Sequence, residues 1–87
     1  MTGDSRLSGS DAGDDEVRIV DVRGLLPPEP MVRTLEALAE LPFGHTLVQI
    51  NSRVPVPFLP LLQKKGFRYD VQEVGPQLVR VRIWHAE

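Results

Sequence analysis

Residues 67–84, FRYDVQEVGPQLVRVRIW, decide the fold class. Phe67 to Val74 and Leu78 to Trp84 each alternate apolar and polar residues around Gly75-Pro76-Gln77, the pattern of two antiparallel strands joined by a three-residue loop. Pairing symmetric about Pro76 puts Arg82 opposite Asp70 and Trp84 opposite Arg68, both favourable cross-strand neighbours. Tyr69, Val71, Val79, Val81 and Ile83 then share the other face and require a covering layer.

The residues upstream supply that layer. Val17 to Val22 (VRIVDV) is short and β-branched and stops at Arg23-Gly24, so it reads as a first strand. From Pro28 to Glu40, Met31, Val32, Leu35, Leu38 and Ala39 recur at helical spacing, with Arg33, Glu36 and Glu40 on the opposite side. Pro42 and Gly44 end that helix, and Thr46 to Asn51 (TLVQIN) reads as a second strand. In RVPVPFLPLLQKKG, prolines 55, 57 and 60 predict an extended approach to a short second helix ending at Gly66. Two βα units with right-handed crossovers, followed by a hairpin, put both helices on one face. The expectation is an α+β, two-layer α/β sandwich of order βαβαββ: a four-stranded mixed sheet with one face left open to water.

Composition narrows the chemistry. The chain has 87 residues, 41% hydrophobic and 25% charged, so it makes one globular domain at most. A domain of this size buries about 60% of its unfolded surface, which argues against a deep enclosed active site. It contains no cysteine, which excludes a disulfide, a thiolate nucleophile, a persulfide and a cysteine zinc site. Residues 1–15 hold Asp4, Asp11, Asp14 and Asp15 against Arg6, a net of −3, and only Leu7 to bury. They read as a flexible acidic tail preceding a domain over 16–87. Since the whole chain is at −2, that domain carries +1. So small a basic excess argues against duplex DNA as a partner. The start has no apolar run and no stretch is long enough to span a bilayer, which by default predicts a cytoplasmic location.

The run Asp21-Val22-Arg23-Gly24-Leu25-Leu26-Pro27-Pro28-Glu29-Pro30 resembles the D-x-R-G-L-x-C-P-x-P signature of TusA/SirA-like proteins. Pro42-Phe43-Gly44-His45-Thr46-Leu47 is similar to the turn before that family's second strand, and Lys65-Gly66-Phe67 to its helix-to-strand junction. The resemblance covers roughly residues 17 to 84. It implies the βαβαββ fold, with strand four inserted antiparallel between strands two and three. Pro27, however, stands where the family's sulfur-accepting cysteine would be, so sulfur relay does not carry over. Pro-Pro-Glu-Pro is similar to a branch lacking that cysteine, whose members occur with hemerythrin-like iron domains and near nitrogen-oxide or anaerobic respiratory functions. By that association the resemblance implies a protein partner, such as a hemerythrin-like or respiratory protein.

The candidate site is the rim between the first strand and first helix: Arg23, Leu25, Leu26, Pro27, Pro28, Glu29 and Pro30, with Asn51 nearby at the carboxyl end of strand two. A proline-rich rim with exposed leucines suits a docking surface. It does not suit an anion, because the prolines lack N–H groups and Glu29 repels negative charge. The plainer readings are that Pro28-Glu29-Pro30 starts the helix, that Arg23 pairs with Asp21 or Glu29, and that Asn51 orders its loop.

His45, from a turn, and His85, from a frayed C-terminus, fall short of a metal site, and Ser52, His45 and Asp70 have no triad spacing. The reading is a non-catalytic binding or regulatory module without a cofactor. Two alternatives stand beside it. One is single-stranded nucleic-acid binding through Arg68, Arg80, Arg82 and Trp84 on the open face. The other is an accessory role in sulfur transfer with the thiol supplied by a partner.

Overall fold

A computed structural model describes residues 16–86. The acidic segment 1–15 lies outside the described residues. The elements are β1 (Val17–Asp21), α1 (Glu29–Ala39), β2 (Thr46–Asn51), a 3₁₀ turn (Val56–Phe58), α2 (Leu59–Lys64), β3 (Phe67–Gly75) and β4 (Leu78–His85). The four strands form one sheet in the order β1-β2-β4-β3. β1 runs parallel to β2, and β4 lies antiparallel to both β2 and β3. This is the expected α+β arrangement. No helix among the described residues is long and apolar enough to cross a membrane.

The hairpin register is the one its alternation dictates: Asp70 faces Arg82, Arg68 faces Trp84 and Val71 faces Val81. Arg82 donates from Nε to Asp70 Oδ2 at 3.1 Å. The turn differs in one respect. Gly75 belongs to β3, the loop is only Pro76-Gln77, and the extra residue becomes a bulge at Val74 between the Glu73–Val79 and Gly75–Leu78 pairs.

Val79, Val81 and Ile83 of β4 are buried together with Leu47, Leu38, Leu41, Phe58 and Leu62, and Tyr69 and Val71 pack against them. The opposite face is not bare. Val48 faces away from the helices, in register with Ile19 and Arg82, and is buried all the same.

The helices depart from the expected pattern in two places. In α1 the buried positions are Thr34 and Leu38, while Met31, Val32 and Ala39 are exposed. The helix is rotated because Thr34, polar by pattern, is satisfied inside: its hydroxyl donates to Pro30 O at 2.8 Å and accepts from Gln49. In the second helical segment the prolines do not hold the chain extended. Pro57 and Pro60 occupy the first turns of the 3₁₀ segment and of α2, where no intrahelical N–H is required. Phe58 and Leu62, four residues apart, turn the same way into the core. Gly66 then closes α2 at φ 91°, a left-handed conformation that glycine adopts without strain.

Leu62 is fully buried and Leu26 is 78% exposed. Leu62→Ala is therefore expected to cost about 2–5 kcal/mol in urea unfolding, and Leu26→Ala less than about 0.5 kcal/mol.

Candidate functional site

The carboxyl ends of β1 and β2 lie side by side, in register from Val17–Thr46 to Asp21–Ile50. Each strand continues into a proline-rich connection toward a helix. Between these connections lies an open cleft of about 570 Å³. One wall comes from Leu25, Pro27, Pro28 and Pro30, with Met31 of α1 at its lip. The other comes from Val54, Pro55, Pro57 and Phe58. Val22 and Gln49 form the base, and Asn51, Ser52 and Arg53 bring the polar groups.

A continuous hydrogen-bond chain supports this base. Gln49 is buried on the helix side of β2, opposite Val81, where its amide must be satisfied by protein. Its Nε2 donates to Thr34 Oγ1 at 2.8 Å, and its Oε1 accepts from Asn51 Nδ2 at 3.2 Å. Asn51 Oδ1 in turn accepts from the backbone N–H of Ser52 at 2.8 Å and of Arg53 at 3.4 Å. The loop after β2 is thus tied through three side chains, Asn51, Gln49 and Thr34, to Pro30 O in the first turn of α1.

Of the rim residues expected from sequence, Leu25, Pro27, Pro28, Pro30 and Asn51 come together around the cleft. Arg23, Leu26 and Glu29 do not line it. Arg23 pairs with Asp21, Nε to Oδ1 at 3.0 Å and Nη2 to Oδ2 at 2.7 Å. Those hydrogen bonds, ahead of simple charge attraction, hold the Asp21 carboxyl below the usual carboxylate range and raise Arg23. Glu29 pairs along the helix with Arg33 at 3.4 Å. Leu26 projects outward beside the cleft. Asn51 both lines the site and orders its loop.

Thr34 and Gln49 were absent from the expected set. Both look like ordinary polar positions in sequence, and their roles depend on a register that joins residues 15 apart. A usable signal was present in TLVQIN: Gln49 stands at the same strand parity as Leu47.

The histidines lie elsewhere. His45 precedes β2 and donates from Nε2 to Glu16 Oε1 at 3.1 Å. Ser52 follows the other end of the same strand, roughly 20 Å away at strand rise, so the two cannot act together. His85 is not frayed. It ends β4, donates from Nε2 to Leu41 O at 2.6 Å, and is stacked on Phe43 with ring centroids 4.1 Å apart. A second groove of about 660 Å³ runs along the open face past His45, Arg80, Arg82 and Trp84.

A family model for "Uncharacterized conserved protein (DUF2249)" matches residues 19–85. The chain belongs to the DUF2249 family. No curated protein and no solved structure matches it. The matched span of this DUF2249 domain contains both walls of the cleft, the Thr34–Gln49–Asn51 chain and all four strands apart from the first two residues of β1.

Two measurements test these interactions. Thr34→Val removes the hydroxyl that satisfies the buried Gln49 amide, and is expected to destabilise the domain by about 1–3 kcal/mol in chemical denaturation. Asp21 has a folded pKa below its unfolded value, so its contribution to stability is complete above the unfolded carboxylate pKa and is lost as pH falls through the folded one. In an NMR titration of the Asp21 carboxyl, Arg23→Ala is expected to move the midpoint upward.

Proposed function

We propose that this DUF2249 domain is a non-catalytic binding module on a TusA/SirA-like scaffold, and that its ligand-binding site is the proline-walled cleft. The observation that carries this reading is the combination of a largely apolar cleft with a polar base held by a satisfied buried network. Volumes of this order are typical of small-molecule sites, and the half-open shape equally admits a short protein segment. Five prolines in the two walls reduce the conformational entropy lost on binding, since their φ angles are already fixed.

The polar groups left for a ligand are mainly donors. Asn51 Oδ1 is occupied by two backbone N–H groups, whereas Nδ2 has given only one of its two hydrogens, to Gln49. The Arg53 guanidinium adds a cation at the lip. The preferred ligand therefore has an apolar body and a carbonyl or carboxylate acceptor. In a redox or nitrogen-oxide respiratory setting, the segment supplying it would belong to a hemerythrin-like or respiratory protein. Sulfur relay by this chain itself is disfavoured, because it has no thiol and Pro27 stands at the motif's sulfur position.

Affinity capture under native conditions separates cleft from rim. Met31→Glu introduces a charge at an exposed lip position of the cleft, and Leu26→Asp introduces one on exposed surface just outside it. The expected result is a partner retained by wild type and Leu26→Asp and lost by Met31→Glu. Equal recovery with all three proteins would overturn the cleft assignment.

A second reading, single-stranded nucleic-acid binding, is favoured by the groove that brings Arg80 and Trp84 together on the open face. Against it, Arg82 is already engaged by Asp70. Titration of fluorescent oligonucleotides at low salt decides the matter: no binding in the micromolar range eliminates this reading.

A further inference from the structure

β1 and β3 form the two edges of the sheet, and they differ in character. β3 presents Arg68, Asp70, Gln72 and Glu73 and carries the bulge at Val74. Charges and bulges of this kind blunt an edge against further pairing. β1 has no bulge, and its two charged side chains, Arg18 and Asp21, are each engaged within the chain. It contains no proline, is in unbroken register with β2, and exposes Ile19 by 69% and Val17 by 56%. Arg18, its one cation, is drawn aside to donate from Nη1 to Glu40 O at 3.2 Å.

Two hydrogen bonds establish which main-chain groups of β1 face β2 and which face away from it. Thr46 N–H donates to Glu16 O at 3.1 Å, and Val22 N–H donates to Ile50 O at 2.9 Å. Along a strand the residues that turn their N–H and C=O toward one neighbour alternate. Glu16, Arg18, Val20 and Val22 therefore face β2, and the main-chain groups of Val17, Ile19 and Asp21 point outward. The side chains of these three residues share the open face, in register with Thr46, Val48 and Ile50.

We propose that β1 pairs antiparallel with β1 of a second copy of this chain, about a two-fold axis at Ile19. Such pairing is self-complementary wherever the axis falls on a residue, and one of these registers is favoured. Opposed residues must lie on the same face, so the axis can fall at a residue but not between two. With Ile19 on the axis, Val17 meets Asp21 of the second copy and Ile19 meets its equivalent. Each pair exchanges two hydrogen bonds, giving about six in all. With Arg18 on the axis, two like charges stand opposite each other and only about four bonds form. With Val20 on the axis, Val17 is left unpaired, again with about four. The favoured register also covers the exposed Ile19 side chains with one another.

The interface is isologous, with the same patch used by both copies. It joins two four-stranded sheets into one of eight strands and keeps all the helices on one side. Both clefts remain open, because their walls are built beyond the carboxyl end of β1. The proposal does not depend on what those clefts bind.

The full chain should sediment at twice the monomer mass at tens of micromolar, and Ile19→Lys, an exposed substitution, should sediment as a folded monomer. A second measurement uses the absence of native cysteine. Hydrogen-bonded antiparallel pairs have Cα atoms about 5.5 Å apart, within disulfide range. Under mild oxidation Ile19→Cys should cross-link to a dimer, whereas Val17→Cys, also exposed but far from its own copy, should not. Monomeric sedimentation up to millimolar concentration, or cross-linking of Val17→Cys as rapid as that of Ile19→Cys, would overturn the proposal.

Discussion

β4 is hydrogen-bonded on both flanks, to β2 and to β3, and its alternation leaves one way to place it. Val79, Val81 and Ile83 are buried, and Arg80, Arg82 and Trp84 stand between them. A slip of one residue would turn two arginines and a tryptophan into the core and bring the valines into water. The strand is thereby locked, and the register it imposes on β2 sets Leu47 opposite Ile83 and Gln49 opposite Val81. A glutamine is carried into the interior along with its neighbours. That burial is tolerable only if the amide is satisfied, and Thr34 satisfies it. Thr34 must then face inward, which rotates α1 and brings Met31 to the lip of the cleft. The position of the site thus follows step by step from the central strand.

The cleft stays open for a related reason. Two connections running side by side from neighbouring strands would ordinarily close on each other through backbone hydrogen bonds. Here Pro27, Pro28 and Pro30 on one side and Pro55 and Pro57 on the other have no N–H to give. Asn51 takes up the amides of Ser52 and Arg53, so the loop is held by its own strand end rather than by the opposite wall.

The parts of the fold governed by local periodicity were legible in the sequence. The period-two pattern of residues 67–84 yields the observed pairing of Asp70 with Arg82, and TLVQIN bounds β2 correctly. What the pattern missed depends on contacts between distant segments. Hydrophobicity alone assigns Met31 and Val32 to the buried face of α1, because it cannot know that the Thr34 hydroxyl will find Pro30 O and Gln49. Likewise His85, beside the chain end, has no local reason to be ordered. The Leu41 carbonyl and the Phe43 ring, more than 40 residues away in sequence, hold it. At the site, the rim itself was legible from its prolines. Which of its residues face inward was legible only in part: the pairing of Arg23 with Asp21 stands among the plainer readings of the sequence, whereas the diversion of Glu29 to Arg33 does not.

The same diversion limits the chemistry open to the cleft. A helix N-terminus usually offers unpaired N–H groups to an anion, but here Pro28 and Pro30 have none, the Glu29 amide is given to Leu26 O, and the Val32 amide to Pro28 O. Among the described residues that line the cleft, Arg53 is the only charged one, and it comes from the β2 side. Side-chain polar recognition then centres on the β2 side, through Asn51 and Arg53, and apolar recognition on the α1 side, through Leu25, Pro27 and Met31. A ligand with two dissimilar ends satisfies that division, and one charged along its whole length does not.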